Sequence, residues 1–212
     1  MDTGDLIKAM AAETSRPSLP LGKAWWLGVA LAVVAAAAVF FVTLGFRPDI
    51  AHAVQTVRFL FKFVVTLALA ISAAGLLRAL IRPEGDAKAL APRLLAAPIL
   101  LAAAIVLELF AVPQSDWAAR LIGSNSMVCL TFIPLIGVGP LAVFLATLRH
   151  CAPTRPRLAG AVAGLLAGSL SATFYAAQCT DDSPLFVASW YTIAIAGLTL
   201  VGALIAPRIA RW

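Results

Sequence analysis

The sequence predicts an all-α integral membrane protein, a six-helix bundle with both termini in the cytoplasm. Three observations carry this reading. Of 212 residues, 62% are hydrophobic and 12% charged, and the mean hydropathy is +0.96; soluble domains hold roughly 45–50% apolar and about 25% charged residues. Six apolar segments, each near the roughly 20 residues that a membrane-spanning helix needs, take up most of the chain. Lys and Arg alternate between the ends of those segments in the pattern of the positive-inside bias. A water-soluble fold of this size has no means of hiding so much apolar surface. A soluble enzyme, a nucleic-acid-binding domain and a secreted disulfide scaffold are excluded.

Residues 1–24 read as a polar cytoplasmic tail. Within it, residues 5–12 suit a short amphipathic helix, with Leu6, Ile7, Met10 and Ala11 along one face and Asp5 opening it. A helix this short is marginal in water, so it needs a partner's groove or a lipid surface to order it. The first span, residues 25–46, is longer than the roughly 7–15 residues of a signal-peptide apolar region. Asp2, Asp5 and Glu13 also spoil the basic start of a signal peptide, so this helix is expected to be retained.

Five further spans are expected at residues 57–81, 92–112, 126–148, 158–178 and 185–206. Breakers and charges separate them, among them Arg47-Pro48-Asp49 and Arg82-Pro83-Glu84-Gly85-Asp86. Connections this short leave one transmembrane domain over residues 25–212. Twelve of the 16 basic residues lie in the tail, in the second and fourth connections and at the C-terminus. Arg47, Arg58, Lys62 and Arg120 fall on the other side. The net charge of +6 therefore records orientation, with the lipid bilayer as partner and no direct contact with nucleic acid.

That topology gives the cysteines their meaning. Cys129 lies a turn inside the outer end of the fourth helix and Cys179 at the outer end of the fifth, in a compartment that permits disulfides. Cys151 sits at the opposite face and reads as a bystander. Gly160, Gly164, Gly168, Ala172 and Ala176 form a small-residue stripe, which lets helix backbones approach closely in lipid. Cys179 points near the mean direction of that stripe, so its thiol should face a partner helix. If that partner is the fourth helix, Cys129 and Cys179 come within disulfide range. Spacing alone leaves packing, a structural disulfide and redox or soft-metal chemistry open. Asp181, Asp182 and His52 are further candidate ligands on that face, although no spacing matches a known metal site.

Between Cys129 and the cytoplasm lie Pro134, Gly137, Gly139 and Pro140, which read either as a hinge or as a static kink. Lys62 and Glu108 are charges inside helices at similar depth, and a structural ion pair between them, with Arg58 nearby, is expected. Catalysis is not expected. His52 and His150 lie on opposite sides, no C-x-x-C is present, and no resident cofactor is implied. The alternative from a different class is a small transporter or channel for a metal or organic ion, working through Glu108 and Lys62.

The stretch Ala152-Pro153-Thr154-Arg155-Pro156, then Ala159-Gly160, Gly164 to Gly168, Tyr175-Ala176, Cys179, Asp182-Ser183-Pro184 and Trp190-Tyr191 resembles the NrsF-type membrane proteins. The opening residues 5–12 resemble the family's start as well. The resemblance implies a six-helix anti-sigma factor of the bacterial inner membrane, which holds an extracytoplasmic-function sigma factor inactive at the cytoplasmic face. Heavy-metal ions or oxidants at the outer face would act on a cysteine pair and release it. The matching positions are Cys129 and Cys179, with a transient heavy-metal ion as their ligand. Where the family pattern often has histidine before the second cysteine, this chain has Gln178, which counts against a metal ligand there.

Overall fold

The computed structural model describes residues 3–4, 21–82, 85–149, 151 and 153–209. The tail segment with Asp5, Leu6, Ile7 and Met10 lies outside them. Six helices are long and apolar enough to cross a membrane, and there is no strand among the described residues. They are α1 (Leu21–Thr43), α2 (Val57–Leu80), α3 (Ala87–Ala111), α4 (Ser126–Arg149), α5 (Pro156–Ala176) and α6 (Pro184–Ile209). The expected spans match these to within a few residues. The clearest shortfalls are at the C-terminal ends, where α1 stops at Thr43 and α5 at Ala176.

The central element is α5, which packs against α6, α2 and α4 and also touches α1. Its sequence explains that position. Gly160, Gly164, Gly168, Ala163, Ala167 and Ala172 are buried and give three neighbours room to close in. Its buried hydroxyls stay satisfied within the helix, with Ser171 donating to the Ala167 carbonyl at 2.7 Å and Ser169 to that of Leu166 at 3.1 Å. In contrast, α3 is peripheral, resting on α2 and the start of α6, and it buries little besides Ala97 and Glu108.

The small-residue stripe of α5 meets α6, not α4. A Cβ at Gly164 would run into the carbonyl of Leu198, and one at Gly160 into Gly202. The reason is reciprocal smallness: α6 supplies Gly202 at the crossing with Gly160 and Gly164, whereas Gly137 of α4 meets α5 at the Ser171 side chain. Pro134 and Pro140 lie inside an uninterrupted α4. Gly137 packs under the side chain of Leu198, and Gly139 lies against Ala35. Both glycines therefore mark close helix approach. A separate irregularity falls at the start of α6, where Val187–Tyr191 forms a π-helical turn, a wide turn often found at functional sites.

Because the α5–α6 contact is backbone against backbone, Gly164→Leu should separate the two helices and cost at least about 1–3 kcal/mol from overpacking. Gly197→Leu on the open side of α6 meets nothing within 4 Å and should be tolerated. Thermal unfolding of the two variants in detergent checks the contrast; equal stability would remove the backbone contact as the organising feature.

Candidate sensory site

The site gathers around the loop that joins α5 to α6. As α5 ends, the Cys179 carbonyl has no partner within the helix, a condition that must be repaired at this depth. Two cations repair it: Lys62 Nζ from α2 donates at 2.8 Å and Arg47 Nη1 at 3.3 Å. The same two cations hold Asp182, at 2.6 Å from Lys62 and 3.1 Å from Arg47. Lys62 is fully buried, and both cations face the ring of Phe59, 5.4 and 5.7 Å from its centroid. Arg47 is also forked onto Asp49 at 2.6 and 2.7 Å. That hydrogen bonding holds the Asp49 carboxyl below the usual carboxylate range.

The next residues of the loop each reach a different helix. Asp181 accepts from the backbone N–H of Ser124 at 3.0 Å and of Asn125 at 2.8 Å, and from the Asn125 side-chain amide at 2.9 Å. It thereby satisfies the donors at the start of α4, one turn before Cys129. Ser183 donates to Glu108 Oε2 of α3 at 2.7 Å and accepts from the N–H of Leu185 as α6 begins. The other oxygen of Glu108 faces Arg120 at 3.2 Å and Arg58 at 3.7 Å. Within five residues the loop is tied to α2, α3, α4 and the connection after α1.

Cys129 and Cys179 lie inside this ring of ties. Both are free thiols, 0% and 1% exposed, in one buried cluster with Tyr175 and Tyr191. The two tyrosine rings meet edge to face, 5.7 Å between centroids. The Cys179 thiol reaches the Asp181 carbonyl at 3.7 Å. Burial pushes that thiol up from its ordinary range, with Lys62 opposing the shift, so it is held protonated at neutral pH. Tyr191, on the π turn, buries a hydroxyl that has no hydrogen-bond partner among the described residues. Just outside, a cavity of about 520 Å³ opens between Arg58, Arg120, Thr180, Asp181 and Asp182, bringing solvent to the loop.

One expected pairing does not form. Lys62 and Glu108 do not bind each other: Lys62 takes Asp182, and Glu108 takes Arg120, Ser183 and Arg58. The reason is that the α5–α6 loop comes between the two helices with its own acid and its own hydroxyl. Glu108 and Arg58 do approach each other. Asp181 and Asp182 are engaged by amides and cations, His52 is exposed, and no three of His, Cys, Asp or Glu among the described residues form a metal-binding group. Cys151 is buried in a separate cluster with Leu148. Sequence reasoning missed the clamp on Cys179 by Lys62, Arg47 and Asp182. Its signal was the run Asp181-Asp182-Ser183 one residue after the cysteine, with Lys62 having no acid near it on its own helix.

The family model described as "Negative regulator of sigma F" matches residues 10–212. The Caulobacter vibrioides protein "Anti-sigma-F factor NrsF" is 31% identical over 216 residues, covering 100% of both chains. The Azospira oryzae "Probable anti-sigma-F factor NrsF" is 29% identical over 217 residues, again covering 100% of both. No solved structure matches the chain. A six-helix chain with this match along nearly its whole length belongs to the NrsF family of negative regulators of sigma F.

Proposed function

We propose that this protein is an anti-sigma factor of the bacterial inner membrane that holds an extracytoplasmic-function sigma factor at its basic end. Release follows when a heavy-metal ion or an oxidant acts on Cys129 and Cys179 at the other end. The observation that carries this reading is the clamp on the Cys179 carbonyl by Lys62 and Arg47. It makes the position of one thiol-bearing residue a condition for the placement of α2. The relatives named as anti-sigma-F factors supply the partner class. The concentration of basic residues at one end supports a cytoplasmic placement of both termini.

Two chemistries fit the pair. An oxidant that takes two electrons leaves a Cys129–Cys179 disulfide and two released protons. A soft ion instead displaces two protons and binds both thiolates. Either reaction draws Cys179 toward Cys129 and strains the bonds from its carbonyl to Lys62 and Arg47. Those bonds link the loop to α2, whose other end carries Arg78 toward the basic face. Lys62 and Glu108 are both occupied by structural partners, so neither stands ready as a transport site. No catalytic step is assigned.

The Cys129→Ser, Cys179→Ser double variant should still capture the sigma factor but lose its response to cadmium, chromate or oxidant. A normal response in a sigma-dependent reporter overturns the cysteine mechanism. Because the Cys179 thiol is held protonated, metal binding competes with protons, and less cadmium should be needed as pH rises from about 6 to 8. A pH-independent half-response in membrane vesicles would argue against thiol ligation. Lys62→Met leaves Asp182 and the Cys179 carbonyl to Arg47 alone and should cost about 1–3 kcal/mol in thermal stability, with reporter expression raised before any stimulus; a silent reporter in a folded variant would separate the clamp from release. Deletion of residues 5–12 should weaken co-purification of the sigma factor, and unchanged recovery would place docking elsewhere.

A further inference from the structure

At the basic end, a second cavity opens between α1 and α2. Its volume is about 350 Å³, and its floor is the buried Trp25, Phe144 and Leu166. Its rim is formed by Trp26 and Ile71, 61% and 71% exposed. It exists because α1 packs chiefly on α4 while α2 packs chiefly on α5, so the two helices diverge over this stretch. Gly75 widens it: a Cβ there would meet nothing within 4 Å. The lining is apolar except for Arg78, whose guanidinium lies 5.9 Å from the Trp26 ring.

This groove faces outward from two helices of membrane-spanning length. An apolar slot of this size is not stabilised by water, which would find no hydrogen-bond partners along its walls. Hydrocarbon chains are its natural filling at that depth. Arg78 at the end of the slot adds a charge, and Lys23 before Trp26 and Arg82 one turn past Arg78 repeat that sign at the same end of the bundle. A guanidinium is well suited to a phosphate oxygen, and a basic site between helices is suited to an anionic lipid headgroup.

We infer that the cleft between α1 and α2 is a binding site for an anionic phospholipid, with one acyl chain in the groove and the phosphate on Arg78. The site is independent of the cysteine chemistry and lies at the other end of the bundle. A bound lipid fills the gap that would otherwise let α1 and α2 move together, and so fixes their spacing at the basic face.

The test uses the full chain in vesicles, with Trp117, Trp190 and Trp212 replaced by phenylalanine so that emission comes from Trp25 and Trp26. Quenching is measured with brominated phosphatidylglycerol and with brominated phosphatidylcholine in an otherwise phosphatidylcholine bilayer. Phosphatidylglycerol should half-quench at a mole fraction about five-fold lower, as expected for one basic contact near the surface. Arg78→Gln should abolish the difference, Arg78→Lys should keep most of it, and Gly75→Leu should reduce quenching by both lipids. Equal quenching by the two lipids, or a preference that survives Arg78→Gln, overturns the proposal. Stronger quenching by both lipids after removal of residues 1–20 would show that the tail fills the groove, and that too overturns it.

Discussion

Lys62 is a charge that its own helix has no means of satisfying. Placed near the start of α2 and fully buried, it would cost about 2.5–3.5 kcal/mol or more if left alone in lipid. Its contacts with the Cys179 carbonyl and Asp182 remove that cost. The same contacts solve the opposite problem for the α5–α6 loop, whose backbone leaves helical order and frees the Cys179 carbonyl. Each side needs the other, and the arrangement of the cysteine end follows. Asp182 faces α2, which leaves Asp181 for the start of α4 and Ser183 for Glu108. Because Arg47 shares both acceptors, loss of one partner weakens this end and leaves the remaining groups bound by fewer hydrogen bonds.

The two ends of the bundle are built on different physics. At the cysteine end, hydrogen bonds and ion pairs converge on a few residues, so a small displacement has a large electrostatic consequence. At the basic end, contacts are apolar: α5 and α6 meet backbone to backbone at Gly160 and Gly202, and an open groove lies between α1 and α2. Between them runs α5, whose buried glycines and alanines allow close approach to α6 and leave little slack. The bundle thus gathers its polar contacts on a few residues at one end and leaves an apolar groove between α1 and α2 at the other.

The architecture was legible because hydropathy, breakers and charge placement all act locally along the chain. Six spans were readable from runs of Ala, Leu and Val; the C-terminal ends of α1 and α5 were harder, because apolar residues such as Phe46 continue past the point where the backbone turns. The burial of Cys179 was legible from the stripe, but its partner was not. A stripe states that a helix comes close, and the identity of that helix depends on where a second glycine lies, here Gly202 of α6. Lys62 and Glu108 were recognisable as charges in need of partners. Their true partners were hidden because a loop far away in the chain carries both, and depth in the membrane does not reveal what the loop inserts.

The long reach of the Lys62 contact also constrains how the protein is made. Its acceptor at Cys179 is 117 residues further along the chain, and the acceptor of Arg47 at the same carbonyl is 132 residues away. When α2 emerges from the ribosome, neither the Cys179 carbonyl nor Asp182 has yet been synthesised. The helix must enter the bilayer on its apolar residues alone, with the long lysine stem snorkelling toward the interface. The contacts of the ammonium with the α5–α6 loop can form only after Cys179 and Asp182 have been made. A chain stopped before Cys179 would lack both acceptors of Lys62, the Cys179 carbonyl and Asp182.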